Sequence, residues 1–138
     1  MKKIIPVVIA VIHKEGRFLL TERRGMDPDD KQFGRVWHFP GGSLEFGETV
    51  EQSLKREIKE ETQLEILILK QITPVYSAVR DNWHGLLIPH LCEVVGTPNI
   101  VLNDESYQYG WYTPHEIRGL KKLPFVQEMA DAAEALLI

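Results

Sequence analysis

Residues 39–64 read FPGGSLEFGETVEQSLKREIKEETQL, and the reading of this stretch decides the fold around it. Thr49 and Gln52 stand three apart, and Val50, Leu54 and Ile58 recur every four residues after them. A threonine that accepts from the backbone N–H three residues on, answered by a glutamine side chain reaching back, starts a helix. An apolar stripe at i, i+4 continues it. Upstream, Val36-Trp37-His38-Phe39 reads as a short strand, stopped by Pro40-Gly41-Gly42 in a tight turn that lets the backbone approach a ligand closely.

A helix turns about 100° per residue. With Glu57 at zero, Glu60 falls near about −60°, Glu61 near about +40° and Arg56 near about −100°. The apolar stripe lies between about +20° and +100°, and Glu51, Gln52, Lys55, Lys59 and Thr62 take the outward side. Three carboxylates therefore share the side that carries the apolar stripe. A solvated helix with i,i+4 ion pairs is the bland alternative, and Arg56–Glu60 has that spacing. Three like charges within about one and a half turns repel, however, and partial burial adds a desolvation cost. One arginine does not neutralise three carboxylates; a divalent cation does. Hard oxygen donors favour Mg²⁺ or Mn²⁺, and Mg²⁺ keeps waters and recruits phosphate oxygens.

Outward from the helix the pattern is mostly strand. Residues 4–13 are Val- and Ile-rich, Lys14-Glu15-Gly16 is a turn, and Arg17–Arg23 completes a hairpin. Residues 25–35 are polar and turn-rich and read as an exposed loop. Residues 64–70 form a strand that 72–79 continue past Pro74. Asp81-Asn82 is a turn, 85–95 a strand interrupted by Pro89, and Tyr107–Tyr112 a last short strand. Thr113-Pro114-His115-Glu116 caps a short helix. Pro124 opens a terminal amphipathic helix with Phe125, Met129, Ala132, Ala133 and Leu136 on one side. Many strands around one central helix, with helices at the end, predict an α/β/α sandwich with a mixed sheet.

The chain has 138 residues, 43% hydrophobic and 26% charged, which suits one globular domain and excludes intrinsic disorder. A net charge of −4 lacks the positive footprint that duplex nucleic acid or an anionic membrane needs. The single cysteine, Cys92, makes no internal disulfide and fits a reducing, cytoplasmic setting. The N-terminal apolar run contains Pro6 and no small-residue cleavage site, so it reads as a strand and not as a signal peptide. No apolar stretch has the length of a membrane helix.

The spacing of the charged stretch resembles a known family. Gly42, five residues, Glu48, seven residues, then Arg56-Glu57-Ile58-Lys59-Glu60-Glu61-Thr62-Gln63-Leu64 is similar to the Nudix box, G-x5-E-x7-R-E-U-x-E-E-x-G-U, where U is a bulky aliphatic residue. Gln63 stands where the family has its second glycine. That position is expected to end the helix in a left-handed conformation, where a non-glycine residue costs about 1 kcal/mol and no ligand is lost. The resemblance is close over 39–64 and looser over the rest of residues 1–138, a single minimal domain with its box at 42–64.

The resemblance implies a hydrolase of nucleoside diphosphates linked to a further moiety. It implies metal binding by Glu57 and Glu61, with Glu60 as a further ligand or as the base, and with the Gly41 carbonyl offered to a metal. Arg56 would hold the glutamates, and Glu48 would support the loop–helix corner beside Gly42. Family members often recruit a downstream acid, for which Glu105, ahead of Trp111, is the second choice of base and Asp104 its competitor. Trp37, Phe39, Tyr76, Trp83 and Tyr107 are candidates to stack on a base. The histidines share no spacing and receive no role.

Substrate markers lie outside the box. Leu19-Leu20-Thr21-Glu22-Arg23 matches the start of a coenzyme A pyrophosphatase motif, but the spacing onward fails. Pro74 and Pro89 miss the ADP-ribose marker and Tyr76 the dinucleoside polyphosphate one. The chain is left resembling the MutT-type nucleoside triphosphate pyrophosphatases, which yield the monophosphate and pyrophosphate. ADP-ribose, sugar-nucleotide and dinucleoside polyphosphate hydrolysis, a non-catalytic nucleotide-binding regulator and an RNA-decapping enzyme stay open as alternatives. A homodimer is an open alternative too, since family members are often dimers.

Overall fold

In the computed structural model, which describes residues 2–24 and 34–138, the N-terminal apolar run is the central strand. The elements are β1 (Lys3–Lys14), β2 (Arg17–Arg23), β3 (Val36–His38), β4 (Gly41–Ser43), α1 (Val50–Thr62), β5 (Ile66–Gln71), β6 (Tyr76–Arg80), β7 (Trp83–Val94), β8 (Ser106–Tyr112), α2 (Pro114–Ile117) and α3 (Val126–Leu136). Successive residues of β1 point to opposite sides. Val8, Ala10 and Ile12 pack under Leu54 and Ile58 of α1. Ile9 and Val11 pack on the other side, in the cluster that holds Met129, Ala130 and Ala133 of α3. Helices cover both faces, so β1 reads as a continuous apolar run and not as an alternating one. Leu54 and Ile58 are fully buried, each contributing about 1.5–3 kcal/mol to anchoring α1.

The sheet is mixed, as expected. β1 runs parallel to β7 from the Lys3–Trp83 pair to the Ile12–Cys92 pair. Its path is β3-β2-β1-β7-β5, with β4 on β1, β6 on β7 and β8 on β2. The capping box at Thr49 is present in both directions, and so is the second one, between Thr113 and Glu116.

Several local expectations change. Pro40-Gly41-Gly42 does not simply turn: Gly41–Ser43 is extended and pairs antiparallel with Val7–Ile9 of β1. The glycines serve close approach. A Cβ on Gly41 would strike the Val8 carbonyl, and one on Gly42 would strike the Glu57 carboxylate. β7 is not interrupted by Pro89. Pro89 falls between the stretch that pairs with β6 and the stretch that pairs with β5, so its missing N–H costs no ladder bond on that edge. For the same reason 64–79 is two strands, β5 and β6, lying in succession along one edge of β7. In α3 the buried residues are Val126, Met129, Ala130 and Ala133, whereas Leu136 is exposed. The predicted stripe is thus turned about the helix, which begins at Val126 after a left-handed Phe125. The polar stretch 25–35 lies outside the described residues apart from Gly34 and Arg35.

Thr62 is the clearest reversal, fully buried where the helical wheel placed it outward. Its hydroxyl donates to the Ile58 carbonyl at 2.7 Å and accepts from the Leu64 N–H at 3.2 Å. A wheel shows one helix alone, and here a second segment crosses its end. The Val101 N–H donates to the Thr62 carbonyl at 3.0 Å, and the Asn103 N–H to the Glu61 carbonyl at 3.3 Å. These bonds satisfy carbonyls that the last turn of a helix leaves open. They also tie residues 101–103 to α1, next to the carboxylates.

Candidate active site

The capped start of α1 fixes the helix rotation, and Gly42 opens the space into which Glu57 lies. Arg56 organises the corner. Its Nε donates to Glu48 Oε2 at 2.6 Å and its Nη2 to Glu48 Oε1 at 2.9 Å. Nη2 also donates to the Ser43 carbonyl at 3.2 Å, and Nη1 to Glu57 Oε1 at 3.0 Å. Glu48 Oε1 accepts the Glu45 N–H as well, at 2.9 Å. One guanidinium therefore ties β4, the loop before the helix and the helix together, and the hydrogen bond from Arg56 holds the Glu48 carboxyl at about 2.

Glu57 and Glu61 project from α1 into a cavity of about 630 Å³. Glu61 is only 5% exposed, and its Oε2 is buried with no hydrogen-bond partner. Burial pushes its carboxyl well up, the charges of Glu57 and Glu105 add to this, and the Gly41 N–H and Arg23 oppose it. Burial also raises Glu57, with Arg56 opposing and Glu60 and Glu105 adding. Glu60 is placed differently from its two neighbours. Its side chain is 55% exposed, it pairs with Arg56 at 3.3 Å, and it does not line the cavity.

Glu105 and Asp104 do line it. The Glu105 backbone is held from both sides: its N–H donates to Asn103 Oδ1 at 3.0 Å, and its carbonyl accepts the Arg24 N–H at 3.0 Å. The Asn103–Glu61 backbone bond thus brings two downstream acids opposite the helix.

The donor set fits a hard divalent cation. It consists of the carboxylates of Glu57, Glu61, Asp104 and Glu105, which line one cavity, with the buried Glu61 Oε2 left without a partner. Among the described residues, no three His, Cys, Asp or Glu side chains are already gathered in a form that could hold an ion. Glu57 still spends one oxygen on Arg56. Gly41 lies at the cavity with its N–H toward Glu61.

Of the aromatic candidates, Phe39 and Trp83 line the cavity. Trp37 does not: it is buried in the core, edge-on to Tyr112 at 5.3 Å. Tyr76 stacks on Phe125 at 5.0 Å instead, and Tyr107 lies under the guanidinium groups of Arg24 and Arg35. Three polar lining residues received no site role from the sequence. Arg23 ends β2, His38 ends β3 and Arg80 ends β6, and only the cross-strand arrangement brings them to one cavity. Burial lowers His38 to about 3, and the charges of Arg23 and Arg80 act in the same direction.

The model of the NUDIX domain matches residues 2–136. The chain belongs to the Nudix family. It is an enzyme of the Nudix pyrophosphohydrolase type, and the mixed sheet with flanking helices is the Nudix fold. A nucleoside triphosphatase NudI from Salmonella paratyphi B is 32% identical over 124 residues, covering 80% of this chain and 83% of that one. Among solved structures, a NUDIX hydrolase from Nitrosomonas europaea aligns with a TM-score of 0.81 at 24% identity, covering 96% of this Nudix chain and 90% of the other. The MutT protein from Methanosarcina mazei Go1 aligns at 0.82 and 24%, covering 99% and 96%. These two likenesses concern the fold. Among the described residues no helix is long and apolar enough to cross a membrane.

Proposed function

We propose that this Nudix enzyme, acting as a single catalytic domain in the cytoplasm, hydrolyses nucleoside triphosphates to the monophosphate and pyrophosphate with Mg²⁺ or Mn²⁺. The observation that carries the reading is Glu61: a carboxylate buried without a partner for Oε2, on the same helix as Glu57 and within reach of the Glu105 charge, all three lining a cavity of nucleotide size. Burying such a group costs free energy that the fold alone does not return, so a cationic ligand is its natural partner. The relative named as a nucleoside triphosphatase supports the substrate class.

Glu57 and Glu61 would hold the metal, with Gly41 at the edge of the same space. Bound there, the metal neutralises phosphate charge and makes a water molecule more acidic. Glu105 takes the proton of the attacking water in this reading. It lines the cavity and its backbone is pinned at both ends, whereas Glu60 sits on the outer flank with Arg56. Arg56 keeps Glu57 directed at the cavity, and Glu48 and Gly42 keep Arg56 and Glu57 in place. Phe39 and Trp83 bound the nucleoside end.

A phosphate-release screen tests the reading. Its panel is nucleoside triphosphates, ADP-ribose, sugar nucleotides, diadenosine polyphosphates and coenzyme A, each with Mg²⁺ and with Mn²⁺. Triphosphates are expected to give the highest kcat/KM. Preference for another member of the panel, or full activity in excess EDTA, would overturn it.

A further inference from the structure

The segment between β7 and β8 meets the end of α1 through two backbone bonds, from the Val101 N–H to the Thr62 carbonyl at 3.0 Å and from the Asn103 N–H to the Glu61 carbonyl at 3.3 Å. Asn103 uses its side chain in the other direction. Its Oδ1 accepts the Glu105 N–H at 3.0 Å. One residue is therefore bonded through its main chain to Glu61 and through its side chain to Glu105. Both acids line the cavity, and the Glu105 charge acts on Glu61. A side-chain oxygen that accepts from the N–H two residues on closes a turn around the residue between them. That residue is Asp104, so the turn sets the direction in which the chain delivers Glu105. Asp104 and Glu105 are both exposed, and β8 begins only at Ser106. Packing does not hold Glu105 in place; hydrogen bonds do, from Asn103 on one side and on the other from the Arg24 N–H to the Glu105 carbonyl at 3.0 Å.

We propose that Asn103 is a positioning residue of the hydrolysis: its side chain holds Glu105 in register with Glu61, so that the base and the buried carboxylate keep one fixed separation. The inference rests on the reading of Glu105 as the base and adds what keeps an exposed acid in place. A base works only within hydrogen-bond reach of the water it deprotonates. A displacement of about 1 Å is enough to cost about a hundredfold in rate. Asn103 does not itself line the cavity, so it acts through Glu105 and not on the substrate. Its two bonds are also separable. A substitution at the side chain removes the acceptor for the Glu105 N–H and leaves the main-chain donor to Glu61 in place. The turn around Asp104 then loses its closure while the end of α1 keeps its own.

The test compares Asn103→Ala, Asn103→Ser and Asn103→Asp, each alone and combined with Glu105→Gln, on a nucleoside triphosphate with Mg²⁺. Asn103→Ala is expected to lower kcat about ten- to a hundredfold and to leave KM within about twofold. Asn103→Asp, which keeps an acceptor at the same atom, is expected to restore most of the rate, with Asn103→Ser between the two. Combined with Glu105→Gln, the same substitutions are expected to change kcat by less than about twofold, because the group they position is already gone. The Mn²⁺-induced rise in Tm, which reads the Glu57 and Glu61 end of the cavity, is expected to be the same in every Asn103 variant. Losses that multiply in the double variants, a defect carried by KM, an Asn103→Asp no faster than Asn103→Ala, or a Tm rise lost in Asn103→Ala would each overturn the proposal. Should Asn103→Ala fail to fold, Asn103→Asp against Asn103→Ser decides on the same terms. Glu105→Gln alone separates the two claims. A near-normal kcat there would remove Glu105 as the base and the proposal with it. A large loss there beside a fully active Asn103→Ala would strike the positioning role and leave the base standing.

Discussion

Arg56 grips Glu48 with two parallel hydrogen bonds, at 2.6 and 2.9 Å, and so locks the loop after β4 to the helix that carries the carboxylates. The sign of its pH dependence follows from the carboxyl. Glu48 is depressed from 4.5 to about 2 by the Arg56 hydrogen bond. The stabilisation is therefore fully present above the unfolded value and is lost as pH falls toward about 2. Glu48→Gln should unfold more easily than the wild type at neutral pH, and the gap should close as both are titrated from about pH 4.5 downward. Denaturant melts across that range check this. A gap constant with pH would mean that packing, not charge, carries the contact.

Gln63 occupies the left-handed cap of α1, at φ 60 and ψ 15, with its N–H donating to the Lys59 carbonyl at 3.0 Å. A residue with a Cβ is strained there and glycine is not. Gln63→Gly should raise stability by about 0.5–1 kcal/mol with little change in rate, less whatever the freer glycine costs in the unfolded chain. A thermal or denaturant melt reads the sign, and clear destabilisation would contradict the strain argument.

His38 gives an acid sensitivity of the same sign as that of Glu48, beginning at a higher pH. Its folded value is lowered to about 3 from 6.5, by burial first and by Arg23 and Arg80 second. Between those values the unfolded chain binds a proton that the native one does not, so stability falls as pH drops below about 6.5. The loss should reach about 1–2 kcal/mol at pH 5 relative to pH 7, and His38→Gln should flatten that part of the curve. Equal slopes for the two proteins would show that His38 protonates freely in the native state.

The sequence carried the helix and its carboxylates almost whole, because a capping box, an apolar stripe and charge spacing are local signals. Glu57 and Glu61 face the cavity as the wheel placed them. The misplaced residues are those whose surroundings come from elsewhere in the chain. Thr62 is buried by a segment about 40 residues downstream, through the Val101 hydrogen bond. Glu60 sits nearly as close to Glu57 on the wheel as Glu61 does, yet β4 and the 103–105 segment enclose only the latter side. Gly41 and Gly42 gave a turn signal while serving a strand, because close approach and tight turning both select glycine. Arg23, His38 and Arg80 meet only through the pairing of distant strands, which no spacing along the chain records.

Glu61 offers a test of metal binding that does not depend on turnover. A buried carboxylate without a partner burdens the metal-free fold. Glu61→Gln should therefore be at least as stable as the wild type without metal. Mn²⁺ should raise the Tm of the wild type and leave that of Glu61→Gln nearly unchanged. Equal shifts in both proteins would remove Glu61 from the ligand set. In kinetics, Glu57→Gln and Glu61→Gln should each lower turnover by at least about a hundredfold.

Glu105→Gln and Glu60→Gln separate the two candidate bases. The first should lower kcat far more than it raises KM, because a proton is taken only as the bond forms. The second should act weakly, through the loss of one Arg56 contact. A larger kcat defect in Glu60→Gln would exchange their roles.

The most direct measurement is product analysis of a nucleoside triphosphate turned over in ¹⁸O-labelled water with Mg²⁺. Glu57 and Glu61 would hold a metal whose charge would stabilise the inner phosphates, leaving the terminal pair as the departing group. The predicted result is nucleoside monophosphate and pyrophosphate in equal amounts, with one labelled oxygen in one of them: in the monophosphate for attack at the α-phosphorus, in pyrophosphate for attack at the β-phosphorus. Nucleoside diphosphate and orthophosphate as the first products would contradict the assigned reaction.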